Sequence, residues 1–264
     1  MVYMNEKLTV GHDVCGNIAI LKFDRRFKAR ARKVIAMKFI DDNPNVRTVV
    51  EYGDKFKGRL RTHTTKYLAG EKTKEALYKE NGCLFRFNVD TCYFSPRLSA
   101  ERKELAEKVK KKESVLVMFG GVAPFGIVIA KLSKCKRVVS VELGRECTKY
   151  ARINVKRNKL ENVEIIGGDV CKRVPELKGK FDRIVMARPN LRDSFLDVAF
   201  RKIMKGGLIH YYGFYEEKNV GDLKDLVNAE ARKARKRVKI QKIKKAGDVG
   251  PYRFRYRIDF RVLG

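Results

Sequence analysis

Residues 114–131 read SVLVMFGGVAPFGIVIAK. A run of strand-forming residues meets a Gly-Gly turn, and an apolar segment with helical spacing follows. A strand that enters a helix through glycines lets backbone N–H groups approach a ligand closely, and the start of the helix favours negative charge. The turn reads Gly121-x-Ala123-x-x-Gly126, with alanine where the dinucleotide-binding pattern has glycine. The stretch predicts a loop for a nucleotide-like ligand, and the alternative is an ordinary tight strand-to-helix turn.

The chain is basic along almost its whole length. Its 264 residues include 61 Lys and Arg against 31 Asp and Glu, which gives a formal net charge of +30. Such an excess creates a positive field that suits a polyanion, because neutralised phosphates release counterions. The alternatives are a membrane-surface protein and a thermophile surface, but thermophile enrichment usually raises acids and bases together. We therefore expect a nucleic acid as the partner.

Cysteine and histidine patterns give no sign of a metal. The six cysteines are scattered without a CxxC pair, and the three histidines are far apart in the sequence, so the usual spacing of zinc ligands is missing. No apolar run reaches transmembrane length, and the N-terminus has no signal-peptide core. We expect a cytoplasmic protein that is a monomer and has neither a metal nor a membrane partner.

Residues 1–100 show strand patterns around one helix. The helix is predicted over 24–40, where Phe27, Val34, Met37 and Phe39 form the apolar face and seven basic residues lie between them. The predicted strands are 17–23, 46–52, 57–69 and 84–89. This pattern predicts a small α+β RNA-binding domain over residues 1–100, and the alternative for its basic surface is an ordinary solvated face.

Residues 101–264 alternate between strands and helices. A helix that opens at Ser99 or Ala100 precedes predicted strands at 115–119, 137–142, 163–168, 181–187 and 208–214, with helices at 146–159 and 194–204 among them. Such alternation predicts a Rossmann-like, mainly parallel sheet. Two last strands, 237–245 and 252–262, predict a terminal antiparallel hairpin. A hairpin added to a parallel sheet is typical of class I S-adenosylmethionine-dependent methyltransferases and differs from an ordinary dehydrogenase.

Acids follow two successive strands of this predicted sheet. Glu142 ends the second strand, 21 residues after Gly121, where a carboxylate accepts hydrogen bonds from ribose hydroxyls. Asp169 follows the third strand and is placed to accept from an adenine amino group. Either acid alone could be a helix cap, but together they favour S-adenosylmethionine as the cofactor. The end of strand four, residues 187–190, would line the reacting end of that cofactor.

Several motifs occur in a characteristic order: RTHTTKYLAG (61–70), ENGCLFRFNVD (80–90), YFSPRLSAER (93–102), MFGGVAPF (118–125) and GGLIHYYGF (206–214). This set resembles the archaeal and eukaryotic tRNA (guanine-37-N1)-methyltransferase family, which is related to the wyosine-pathway aminocarboxypropyl transferases. The resemblance implies that the N1 proton of guanosine 37, in the anticodon stem-loop of tRNA, is removed and that N1 attacks the cofactor methyl group.

By position in these motifs, Glu101 matches the general base and Arg61 the arginine that stabilises negative charge at O6. Guanine N1 is only weakly acidic, so a carboxylate and a cation would lower the barrier to proton loss. The structural alternative for Glu101 is a favourable charge in the first turn of a helix. The residues predicted to contact the cofactor are Arg102, Phe119, Gly121, Pro124, Glu142, Leu143, Asp169, Val170, Ala187 and Pro189.

The sequence departs from the family pattern at three places. Val117 stands where the family usually has an acid, and Ala123 replaces a loop glycine. The end of strand four, usually Asn-Leu-Pro or Asn-Pro-Pro, reads Ala187-Arg188-Pro189 and brings a cation beside a cationic sulfonium. Three interpretations stay open: N1-methylation of guanosine 37, aminocarboxypropyl transfer to position 37, and a catalytically silent tRNA-binding paralogue.

Overall fold

The computed structural model describes residues 10–53, 58, 62–188, 190–250 and 252–264. The chain divides into two compact units. The first comprises Met1–Lys79 and Arg86–Pro96, and the second comprises Glu80–Phe85 and Arg97–Gly264.

A four-stranded sheet with one helix dominates the described part of the first unit. Its strands, in spatial order, are β1 (Gly11–Cys15), β2 (Ile18–Lys22), β3 (Thr48–Tyr52) and β4 (Thr65–Gly70), and α1 (Ala29–Asp42) connects β2 to β3. Strands β2 and β3 are parallel, and the outer pairs are antiparallel. Strands β5 (Glu75–Glu80) and β6 (Cys83–Asn88) form a separate hairpin. Asn81 and Gly82 both have positive φ at its turn, as a two-residue type I′ turn requires.

Helix α1 differs from its prediction in both start and orientation. It begins at Ala29 rather than at residue 24, so Phe27 precedes it. Val34 and Met37 are each 61% exposed, whereas Ala36 is buried. The predicted apolar face was therefore wrong at Val34 and Met37. Ala36 lies in the core of this unit instead, and the partly buried Ile35 and Ile40 pack against that core. Strands β1 and β5 were not predicted, and of the predicted strand 57–69 the described part is a strand only from Thr65.

The described part of the second unit contains a seven-stranded sheet in the order β12-β13-β11-β10-β7-β8-β9. The strands are β7 (Ser114–Met118), β8 (Arg137–Glu142), β9 (Val163–Gly167), β10 (Phe181–Met186), β11 (Ile203–Glu216), β12 (Val238–Gly250) and β13 (Arg253–Val262). Strands β7 to β11 are parallel, and β13 pairs antiparallel with both β11 and β12. This confirms the predicted parallel sheet with a terminal hairpin.

Six helices belong to this unit: α2 (Ser99–Glu107), α3 (Pro124–Leu132), α4 (Arg145–Arg157), α5 (Val170–Glu176), α6 (Leu196–Lys202) and α7 (Gly221–Lys233), counted over the described residues. Residues 115–118 of β7 are all buried, as expected for a parallel strand covered on both faces. Helix α3 is apolar nearly all round because it packs against this central part of the sheet. The residues at 114–131 thus form the strand, turn and helix that they predicted.

Strand β13 of the terminal hairpin carries buried residues on both of its faces. Tyr256, Ile258 and Phe260 pack into the main core of the unit, as their alternation predicts. The opposite face of β13 carries charged residues, and two of these, Arg257 and Asp259, are also buried. A buried charge requires partners, and the partners of Arg257 belong to the candidate site.

Candidate active site at the carboxyl edge of the large sheet

The loops that follow β7, β8, β9 and β10 start at one edge of the sheet, because these strands are parallel and adjacent. Ligands of open α/β sheets bind outside the carboxyl ends of the strands. Most of the predicted cofactor residues lie in these four loops. Pro189 and Arg61 lie outside the described residues.

The loop after β7 has an unusual backbone. Phe119, Gly121 and Ala123 have φ values of 62°, 57° and 65°, in the left-handed region that disfavours side chains with a Cβ by about 1 kcal/mol or more. A Cβ on Gly120 would lie 2.1 Å from the Ser140 hydroxyl oxygen, so a side chain there would displace the Ser140 hydroxyl. Pro124 then opens α3 as its first residue, a position that proline favours. The loop is held in a strained shape, as is common at binding sites.

Glu142 joins this loop to the end of β8. Its two carboxylate oxygens accept hydrogen bonds from the Gly121 and Gly144 N–H groups, each at 2.7 Å. Burial of this carboxyl raises its pKa, although the backbone N–H bonds act in the opposite direction. The spacing of Gly121 and Glu142 therefore corresponds to a direct contact. Each oxygen keeps a second lone pair with which it can accept from a hydroxyl of a ligand.

The neighbouring loops supply an apolar surface and a second acid. Leu143 follows Glu142 and is 40% exposed, which leaves an apolar side chain available to the face of an aromatic ring. Asp169 caps α5, since its carboxylate accepts from the Cys171 N–H at 2.9 Å. Val170 begins that helix and is buried. Asp169 is thus a helix cap, the structural alternative that the sequence left open, and one carboxylate can fill both roles.

Arg188, at the altered end of strand four, has partners inside the fold. The residue is buried, and its Nη2 donates to the backbone carbonyls of Asp193, at 2.8 Å, and of Leu191. The guanidinium also lies 5.4 Å from the centre of the Tyr211 ring. Two carbonyls and an aromatic face thus stabilise its positive charge. Ala187, which precedes it, is half-buried.

The two neighbours Glu101 and Arg102 on α2 are both buried but make different contacts. The fork of Arg102 bonds both carboxylate oxygens of Glu80, and its guanidinium lies 5.9 Å from the Phe125 ring. Glu101 Oε1 accepts from the Tyr212 hydroxyl at 2.8 Å and from Arg257 Nη1. The Tyr212 ring is 5.8 Å from Phe125. Because Phe125 lies in the first turn of α3, these contacts place Glu101 beside the glycine loop.

Sequence reasoning missed the donors that surround Glu101. Tyr212, Arg257 and Lys244 all bond this carboxylate. Tyr212 lies in the motif at 206–214, but nothing in the motif indicates its partner, and nothing in the hairpin sequence marks Lys244 among its many lysines.

Asn154 on α4 was missed as well. It is buried and donates to the Val122 carbonyl at 3.2 Å, which helps to hold the glycine loop. A polar residue on the buried face of an amphipathic helix is the signal that could have indicated it.

The described ranges contain no group of three or more His, Cys, Asp or Glu side chains arranged to hold a metal ion. Among the same residues, no helix combines the length and the apolar character needed to cross a membrane.

The sheet order, the terminal hairpin and the acid beside a strained glycine loop define a class I S-adenosylmethionine-dependent methyltransferase fold. Residues 76–243 match the family model described as the TRM5/TYW2 methyltransferase domain, and residues 3–73 match the TYW2 N-terminal domain. The chain belongs to the TRM5/TYW2 methyltransferase family.

Two curated relatives show how the chain compares within this family. It is 34% identical to the tRNA (guanine(37)-N(1))-methyltransferase Trm5b of Pyrococcus abyssi over 97% of this chain and 76% of that protein. It is 36% identical to the tRNA 4-demethylwyosine(37)-methyltransferase Taw21 of Saccharolobus solfataricus over 76% of each chain.

Solved structures agree with this assignment. The crystal structure of Pyrococcus abyssi Trm5b superposes with a TM-score of 0.86 at 34% identity and covers 96% of this chain and 75% of that one. A complex of aTrm5 with tRNALeu gives a TM-score of 0.82 at 25% identity over 96% and 72% of the two chains. Methanocaldococcus jannaschii TYW2 in complex with AdoMet gives 0.72 at 25% identity over 96% and 99%.

Proposed function

We propose that the protein is an S-adenosylmethionine-dependent tRNA methyltransferase that methylates N1 of guanosine 37. The observation that supports this best is the position of a buried carboxylate, Glu101, beside the glycine loop. Tyr212 connects the two, since its hydroxyl bonds Glu101 and its ring contacts Phe125. A base next to a methyl-donor site is the arrangement that methylation of a weakly acidic ring nitrogen requires.

The loops at the carboxyl edge fit an adenosine group. Glu142 lies between two loop N–H groups and would accept from the ribose hydroxyls. Exposed Leu143 would cover one face of the adenine, and Asp169 would accept from its amino group. S-adenosylmethionine supplies an electrophilic methyl group when it is bound, and these residues hold and orient it.

In this proposal Glu101 removes the N1 proton, and Arg61 stabilises the charge that develops at O6 of the base. The tRNA is attracted by the +30 net charge. Helix α1 would contribute to the attraction, because Arg30 and Lys33 are exposed on it. The anticodon stem-loop is the expected contact, since it presents position 37.

A second candidate is aminocarboxypropyl transfer to a wyosine precursor at position 37. Two observations favour it: strand four ends in Ala187-Arg188-Pro189 without the asparagine of the methyltransferases, and residues 3–73 match the TYW2 N-terminal domain. The motif around Glu101, FSPRLSAER, favours methyl transfer. A catalytically silent tRNA-binding protein is the third candidate, and it would require the altered loop to have lost the cofactor.

The experiment uses two RNA substrates and two labels. A tRNA transcript with guanosine 37 and a tRNA that carries 4-demethylwyosine at 37 are each incubated with cofactor labelled in the methyl group or in the carboxyl group. Methyl label in the first RNA supports the proposal, and a transcript with adenosine 37 is the control. Carboxyl label in the second RNA supports the aminocarboxypropyl transferase, whereas tight RNA binding without either label supports the silent protein.

Glu101 is tested on its own by Glu101→Gln. We expect a loss of turnover of at least about a hundredfold with nearly unchanged affinity for tRNA. Glu107→Gln, which changes an exposed residue of the same helix, is the matched control. An equal loss of tRNA affinity would instead assign Glu101 a structural role.

A further inference from the structure

Three residues on neighbouring strands form a row that faces helix α2. Tyr212 on β11 is opposite Arg257 on β13, and Arg257 is opposite Lys244 on β12. All three donate to Glu101. Glu101 thus receives three donors, one from each of three neighbouring strands of the sheet.

The two oxygens of Glu101 have different environments. Oε1 accepts from Tyr212, which is 1% exposed, and from Arg257, which is 0% exposed. Arg257 is itself fixed, because its Nη2 bonds Glu104 Oε1 at 2.7 Å and Asp259 Oδ2 at 3.1 Å. Burial and the adjacent Glu101 raise the pKa of Tyr212 well above its ordinary value, so its hydroxyl stays a donor. Oε1 thus accepts from two buried donors, and one of them, Arg257, is held in place by two further carboxylates.

Oε2 is held by a more mobile group, the Lys244 ammonium at 2.9 Å. The Lys244 side chain is 26% exposed, and it also contacts Glu104. An ammonium on a flexible four-carbon stem can turn toward Glu104 or water at little cost. Oε2 is therefore the oxygen that can change partners without rearrangement of the buried Tyr212 and Arg257 side chains.

We propose that Arg257 and Tyr212 are positioning residues that orient the Glu101 carboxylate, and that Lys244 is a place-holder. By place-holder we mean that its ammonium occupies Oε2 until guanine binds and then moves away from this oxygen. This inference rests on the proposed function, with Glu101 as the base. The proton passes from guanine N1 to Oε2, and the electron pair of the N–H bond stays on N1. With S-adenosylmethionine bound, that pair would form the new bond to the methyl carbon while the carbon–sulfur bond breaks and its electron pair goes to the sulfur, which leaves as the thioether of S-adenosylhomocysteine. The proton on Oε2 then passes to water, and Lys244 returns to the carboxylate.

The place-holder role predicts that removing Lys244 helps the chemical step. Lys244→Met removes the ammonium that competes with guanine N1 for Oε2. The single-turnover rate at saturating tRNA should therefore rise by about twofold to fivefold, which corresponds to a barrier lower by about 0.4–1 kcal/mol. Lys239→Met removes an exposed charge from the same strand and should leave the rate unchanged. A rate for Lys244→Met that is equal to or below that of Lys239→Met overturns the place-holder role.

The positioning role predicts a split between rate and binding. Tyr212→Phe removes one donor from Oε1 and keeps the ring, so kcat should fall about tenfold while the KM for tRNA changes less than about twofold. A kcat equal to that of the wild type, or a KM for tRNA that rises as much as kcat falls, overturns the positioning role, even if stability is lost.

Arg257→Met is a poor first choice, since it strands three buried or half-buried carboxylates and is expected to impair folding. Wild-type activity distinguishes a failure of the proposed function from a failure of the roles proposed for Tyr212, Arg257 and Lys244. A wild type that transfers nothing to RNA overturns the proposed function and this inference with it. An active wild type whose Tyr212→Phe and Lys244→Met variants both behave like Lys239→Met overturns this inference alone.

Discussion

Replacement of Glu142 by glutamine should weaken both the fold and cofactor binding. The carboxylate accepts two backbone N–H groups at 2.7 Å. Glutamine keeps one acceptor oxygen and turns its NH₂ group toward the other N–H. Two buried donors, this NH₂ group and the backbone N–H, then face each other without an acceptor, which costs about 1–3 kcal/mol each. Loss of the unfavourable buried charge offsets part of this cost. We expect a net destabilisation of about 1–3 kcal/mol, which corresponds to a fall in Tm of about 2–10 °C for a chain of this size.

Cofactor affinity should fall by about tenfold to a hundredfold, because the ribose loses a charged acceptor and the loop loses a tether. Calorimetry with S-adenosylhomocysteine gives the affinity, and thermal unfolding gives the stability. Glu146→Gln, which changes an exposed acid in the first turn of α4, controls for the change of charge. Wild-type values of both Tm and affinity in the Glu142→Gln protein would refute the assigned role.

The raised pKa of Glu142 adds a pH dependence with a definite sign. The stability that its proton provides is fully present below the ordinary pKa of a glutamate and is lost as pH rises through the raised pKa. Ribose hydroxyls donate to the ionised form, so cofactor affinity should weaken as pH falls through the same value. Glu142→Gln should remove that dependence, and its persistence would assign it to another group.

Three other outcomes are expected. Arg188→Met should lower the free energy of unfolding, measured in urea, by about 2–3 kcal/mol and should change cofactor affinity by less than about threefold. The control Arg192→Met, at an exposed position, should leave the free energy of unfolding unchanged. A change in cofactor affinity without a change in stability would contradict this. Arg30→Gln with Lys33→Gln should lower the salt slope of tRNA binding by about one for each phosphate that is no longer neutralised, and an unchanged slope would exclude this face. Burial acts to raise the pKa of Asp259, but the hydrogen bond from His210 lowers this pKa to about 2. The ionised carboxylate therefore stabilises the fold fully above about pH 4, and this stability is lost as pH falls toward 2, so Asp259→Asn should remove about 2 kcal/mol of the acid dependence of unfolding. An acid unfolding profile identical to that of the wild type would contradict this expectation.

The parts of the fold that the sequence predicted are those set by local patterns and sheet topology. Parallel strands end at one edge, so an acid that ends β8 lies near the turn that ends β7. The hydrogen bond from the Gly121 N–H to Glu142 was not itself predicted, but this topology accounts for it. Alternation likewise places Tyr256, Ile258 and Phe260 on one face of β13, whereas it does not account for the burial of Arg257 and Asp259 on the other face. Each of these inferences needed only a local pattern and one rule about parallel sheets.

The environment of Glu101 was beyond such reasoning. Arg257 is 156 residues away from it in the chain, and its contact depends on the register between β11 and β13, which no local pattern specifies. Helix α1 shows another limit, because exposed Val34 and Met37 fit an apolar stripe as well as Ala36 and its half-buried neighbours do. At about 100° per residue the two stripes lie on nearly opposite sides of the helix, and only tertiary packing decides which of them is buried.

The tether between Glu142 and Gly121 has a consequence for how such enzymes vary. Ala123 adopts a left-handed backbone with its methyl group buried, so this loop keeps its shape without the glycine that usually supplies it. The shape is imposed from outside, by a carboxylate one strand away. A sequence search that weighs the loop glycines most heavily would therefore pass over chains in which such a carboxylate holds the same loop shape.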